Sequence, residues 1–130
     1  MSYLKNLIAI CLLCLFSVSC TTTSDESAHN DLSPLKQAHA AIDQGAIVID
    51  VRRPEEYSLS HLDGAINIPH SELADRISEI ETYKDKPVVL YCRSGHRAGI
   101  AKEILESKGF QHAINAGGLT DLKSEMHDPR

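Results

Sequence analysis

Cys92 ends a short apolar run, Val88-Val89-Leu90-Tyr91, and is followed by Arg93-Ser94-Gly95-His96-Arg97. These residue types at this spacing suit thiolate chemistry. A free thiol titrates near pKa ~8.5, and a helix amino end or neighbouring cations lower that value by one to several units. Both influences are expected here: Arg93 and Arg97 bring fixed charge, and His96 is a possible third cation. Gly95 can adopt the positive φ of a tight curl, and unpaired backbone N–H groups would then point into it. The expected result is a cradle for an anion, built around a nucleophile.

The elements that position such a loop follow from the flanking residues. Residues 88–91 lack polar alternation, as in a strand buried on both faces of a parallel sheet. Residues 98–108 have the composition of a helix closed by Gly109. A cysteine between a strand's carboxyl end and a helix's amino end stands where an open α/β sheet places its chemistry. Upstream, Ser33-Pro34 predicts an N-cap and N1 proline for a helix ending near Gln44-Gly45, with Leu35, Ala38 and Ile42 on one face. Residues 46–51 predict a strand, 52–57 a loop with a helical turn, and 65–68 an extended piece stopped by Pro69. Ser71 is expected to cap a helix carrying Leu73, Ile77 and Ile80. A strand at 113–115, a Gly117-Gly118 turn and a helix at 119–125 complete the chain. Alternating strands and helices imply a parallel sheet flanked by helices.

Several stretches together resemble the rhodanese-like family of sulfurtransferases. Ile49-Asp50-Val51-Arg52, Pro54-Glu55-Glu56-Tyr57 and His61-Leu62-Asp63-Gly64-Ala65-Ile66-Asn67-Ile68-Pro69 are similar to its first signature. Val89-Leu90-Tyr91-Cys92-Arg93-Ser94-Gly95-His96-Arg97-Ala98 is similar to its active-site region, and Gly117-Gly118 to its closing turn. The resemblance implies one rhodanese-like α/β domain over 32–125, with Cys92 catalytic and Arg93, Ser94, Gly95, His96 and Arg97 binding substrate. Asp50 and Arg52 are expected to support the loop, Asp50 either by holding a loop arginine or by capping a turn, and His61 to be structural. Two positions depart from the pattern: Leu122 stands where the family usually has Trp, and Ser60 where a Gly is common before the signature His.

The activity implied is transfer of sulfane sulfur from thiosulfate or a similar small anionic donor, through a Cys92 persulfide, to cyanide or a thiol. A persulfide carrier or sensor, or a non-catalytic binding module, is the alternative from another class. A cysteine-dependent phosphatase or arsenate reductase is a further rival, but those loops resemble C-x5-R, whereas Cys92 to Arg97 is C-x4-R. The shorter loop makes a tighter cradle, better matched to sulfur than to phosphate.

The remaining sequence concerns location and exclusions. Lys5 and the ten apolar residues 7–16 predict a signal peptide over 1–19. As a helix that run would be ~15 Å long against a hydrocarbon core of ~30 Å, too short to span it. Val18-Ser19-Cys20 resembles the lipobox of bacterial lipoproteins, although Ser17 stands where Leu is usual. The resemblance implies lipidation at Cys20, and Thr21 in place of Asp resembles lipoproteins sent to the outer membrane. Residues 20–31 then read as a lipid-anchored polar tether, and 126–130 as a tail. With Cys11 and Cys14 in the signal and Cys20 acylated, Cys92 is left alone, which excludes a disulfide framework or a CxxC pair. The net charge of −5 argues against nucleic acid as a partner. Seven scattered histidines without ligand spacing argue against a metal site, and no cofactor is expected.

Overall fold

The structure, a computed structural model, describes residues 32–128. The expected signal peptide, Cys20 and the tether lie outside the described residues.

Helix α1 spans Pro34–Asp43, and Ser33 caps it, its hydroxyl accepting from the Lys36 N–H at 3.4 Å. Strand β1 is Ile47–Asp50, helix α2 Pro54–Leu59, and strand β2 Ile66–Asn67. Strand β3 is Val88–Cys92, helix α3 His96–Ser107, strand β4 Ala113–Gly118, and helix α4 Leu119–His127. The four strands form one parallel sheet in the order β2-β1-β3-β4, which puts β1 and β3 in the middle. Every residue of β3 is buried.

Burial on both sides follows from alternation along β3. Val88, Leu90 and Cys92 face one core with Ala98, Ala101 and Leu105 of α3, together with Ile49, Leu73, Ile80 and Phe110. Val89 and Tyr91 face the other, with Ala38 and Ala41 of α1 and Leu122 of α4. Cys92 therefore emerges on the α3 side of the sheet. Leu122, where the family pattern has Trp, is fully buried in that second core.

Three expectations need correction. Residues 70–76 form turns rather than a helix capped by Ser71, followed by 3-10 turns at Ile77–Glu79 and Glu81–Tyr83. Leu73 and Ile80 still reach the core, because a spacing of three to four residues serves successive 3-10 turns as well as it serves a helix. The Glu79 and Ile80 N–H groups donate three residues back, to the Arg76 and Ile77 carbonyls. Gly117 and Gly118 lie within β4 instead of forming a free turn, with Gly118 opposite Cys92 after a register shift. Helix α3 begins at His96, two residues before the expected start, so Arg97 belongs to its first turn.

Candidate active site

The 92–97 loop connects the carboxyl end of β3 to the amino end of α3, and its backbone is turned by Gly95 at φ 92°. A side chain there would be strained by that φ and would also bring a β-carbon to 3.2 Å from Gly117 Cα. Glycine is thus required at this point by both conformation and space.

Cys92 is 1% exposed. Its Sγ accepts from the Gly95 N–H at 3.0 Å. Burial raises the thiol pKa and is the largest single influence, but the N–H groups of Ala98, Ser94, Gly95 and Arg97 together outweigh it. The net direction is below the ordinary thiol value, because converging donors at a helix amino end favour the anion. The curl expected from the residue types is therefore present. What it encloses is the sulfur.

Arg93, Ser94 and His96 are exposed around the loop, and Arg97 is partly buried. Arg97 donates from Nη1 and Nη2 to Glu56 on α2, at 2.6 and 2.9 Å. This fork raises the Arg97 pKa, and the Cys92 charge contributes to the same direction. Glu56 also accepts from the Arg53 N–H at 3.2 Å, satisfying a donor that the start of α2 leaves free. With Arg97 as the first cause, its carboxyl pKa is held down to about 2.

Asp50 does hold an arginine, but the partner is Arg52 and neither loop arginine. Arg52 donates from Nε to both Asp50 oxygens at 3.0 and 3.1 Å and from Nη2 at 2.6 Å, and the pair is buried. Arg52 Nη2 also reaches the Ser60 carbonyl at 2.6 Å, while the Ser60 hydroxyl accepts from Lys123 Nζ at 3.2 Å. These contacts brace the chain leaving β1. His61 has the expected structural role: its ring stacks on Tyr57 with centroids 3.9 Å apart, and its Nδ1–H donates to the Tyr57 carbonyl at 2.9 Å.

Two residues of the site were not singled out from the sequence. Glu56 stood inside the signature without a role. Asn115 on β4 donates from Nδ2 to the Gly95 carbonyl at 3.0 Å, while its Oδ1 accepts from the Gly117 N–H at 2.9 Å. An amide beside a Gly-Gly pair at the end of a short strand was the available signal. Among the described residues, no group of three or more His, Cys, Asp or Glu side chains is placed to hold a metal ion.

Comparison with known proteins agrees with this geometry. Residues 34–125 match the profile described as the rhodanese-like domain. Thiosulfate sulfurtransferase PspE of Escherichia coli is 49% identical over 74 residues, covering 57% of this chain and 71% of its own. Thiosulfate sulfurtransferase GlpE of Pseudomonas fluorescens is 33% identical over 89 residues, covering 68% of this chain and 80% of its own. Among solved structures, a rhodanese with anions from E. coli is 47% identical with a TM-score of 0.56, covering 59% of this chain and 91% of its own. The human single-domain sulfurtransferase TSTD1 is 27% identical with a TM-score of 0.59, covering 72% and 98%. A profile match over most of the described residues, with the cysteine loop in its expected place, identifies the chain as a member of the rhodanese-like domain family.

Proposed function

We propose that the chain is a thiosulfate sulfurtransferase working through a persulfide on Cys92. The observation that carries this reading is the buried Cys92 sulfur facing the N–H groups of Ser94, Gly95, Arg97 and Ala98. The thiolate attacks the outer sulfur of thiosulfate. The sulfur–sulfur bond of the donor breaks, its electron pair leaves with sulfite, and a Cys92 persulfide remains. Cyanide or a thiol then attacks the terminal sulfur, giving thiocyanate or a new persulfide and returning the Cys92 thiolate. The backbone N–H groups stabilise negative charge on the sulfur in both steps without reorganising. Exposed Arg93 attracts the anionic donor, and His96 and Ser94 line the approach.

The relatives named thiosulfate sulfurtransferase support this donor class. A yeast thiosulfate:glutathione sulfurtransferase, 30% identical over 98 residues, supports a thiol as acceptor. Thiocyanate formation from thiosulfate and cyanide, measured beside Cys92→Ser, tests the reading; equal rates from both proteins would refute it.

We further propose that the domain is held at the periplasmic face of a bacterial envelope membrane by acylation at Cys20. Its support is the apolar run at 7–16 followed by Val18-Ser19-Cys20. Membrane fractionation of Cys20→Ala tests it, and a variant that stayed acylated and membrane-bound would refute it.

A further inference from the structure

Sulfur transfer as described leaves Glu56 without a part in the chemistry, yet Glu56 occupies both outer nitrogens of Arg97. The two side chains come from α2 and the first turn of α3, and they are 21% and 22% exposed. A carboxylate therefore sits beside a loop that has to admit an anion. Arg97 closes the loop that begins at Cys92 and lies in the first turn of α3, so the ion pair belongs to the cysteine loop rather than to a remote surface. The fork is bidentate and uses two of the five N–H donors of the guanidinium, so what Glu56 cancels is the charge of Arg97 rather than all of its donors.

We propose that Glu56 sets the charge preference for the sulfur donor: by neutralising Arg97 at the rim of the 92–97 loop, it favours monoanionic sulfane donors over dianionic ones. The proposal rests on the sulfurtransferase reading. Its physical basis is the extra unit of charge. Hydrogen bonds from the loop N–H groups act on the sulfur and its nearest oxygens and are similar for donors of either charge. The second negative charge of a dianion meets the Glu56 carboxylate with no net cation at Arg97 to offset it. At separations of several ångströms in a partly solvated site, one charge changes relative rates by about three- to tenfold.

The test compares kcat/KM of the full chain for thiosulfate, a dianion, and methanethiosulfonate, a monoanion. Both deliver the same outer sulfur to Cys92, with sulfite leaving from the first and methanesulfinate from the second. Glu56→Gln removes the charge and keeps the shape. Glu56→Asp keeps the charge and shortens the reach to Arg97. Glu56→Gln is expected to raise the thiosulfate-to-methanethiosulfonate ratio by about three- to tenfold, while Glu56→Asp keeps the wild-type ratio even if both rates fall. Equal losses on both donors in Glu56→Gln, with the ratio unchanged, would overturn the proposal and leave Glu56 a scaffold for the loop. A ratio shifted in Glu56→Asp would overturn it as well, and if Glu56→Gln does not fold, Glu56→Ala, which also removes the charge, takes its place with the same two readings. Failure of the wild-type protein to use either donor would instead bring down the sulfurtransferase reading itself.

Discussion

A β-carbon built on Gly118 would lie 2.5 Å from the carbonyl oxygen of Arg93, so β4 and the cysteine loop meet backbone against backbone. The oxygen belongs to the main chain and has no side-chain freedom with which to give way. Gly118→Ala is therefore expected to displace the loop, reducing sulfur transfer by ~10-fold or more and stability by ~1–3 kcal/mol, the usual range for overpacking. Thiocyanate assays and thermal melts check both effects, and a variant with wild-type turnover would contradict the close approach.

Asn115 clamps the same loop from the neighbouring strand, through Gly95 on one side of its amide and Gly117 on the other. Asn115→Ala leaves the Gly95 carbonyl its bond from the Gly99 N–H, at 2.8 Å. The Gly117 N–H loses the Asn115 Oδ1 acceptor in the same change, so two hydrogen bonds go and the expected stability loss is ~1–3 kcal/mol. The larger expected effect is on reactivity. A looser Gly95 presents its N–H less well to the Cys92 sulfur, so the thiol pKa rises and alkylation at neutral pH slows.

The pH dependence of Cys92 has a definite sign. Backbone donors outweigh burial, so the folded pKa lies below that of an unfolded thiol. The midpoint of the alkylation-rate profile for the native protein is expected below ~8.5, and that of the denatured chain near it. By linkage, ionised Cys92 stabilises the fold most above the unfolded pKa, and this contribution is lost as pH falls through the folded pKa. Cys92→Ser is accordingly expected to lose the component of stability that rises with pH across this window.

Asp50 and Arg52 form a buried pair whose members cannot be removed singly without leaving a buried charge. Asp50→Ala is expected to cost ~3–5 kcal/mol, since the Arg52 guanidinium would keep only its bond to the Ser60 carbonyl among those of its fork. Replacing both with apolar residues of similar volume is expected to cost less than the single change. Urea titrations of the two variants would decide, and equal losses would contradict the pairing.

Much of the fold was legible because the informative residues answer to local rules. The apolar run before Cys92 needed only its lack of alternation, and Ser33-Pro34 needed only capping chemistry. The six-residue loop was legible for the same reason: cysteine, glycine and two arginines in one turn have few other uses. What was hidden depended on partners distant in sequence. Arg97 finds Glu56 across 41 positions, and Asp50, which could have reached a distant loop arginine, instead holds Arg52 two residues on. Gly117 and Gly118 look like turn residues, but Gly117 is needed for its φ of 80° and Gly118 because the Arg93 carbonyl lies against it. The segment carrying Leu73, Ile77 and Ile80 fits two periodicities, and packing chose the 3-10 turns.

The central claim is the covalent step on Cys92, and intact mass spectrometry of the protein before and after thiosulfate tests it most directly. A gain of one sulfur, ~32 Da, absent in Cys92→Ser and discharged by cyanide as thiocyanate, is the predicted result. An unchanged mass in thiosulfate, or the same gain in Cys92→Ser, would contradict it.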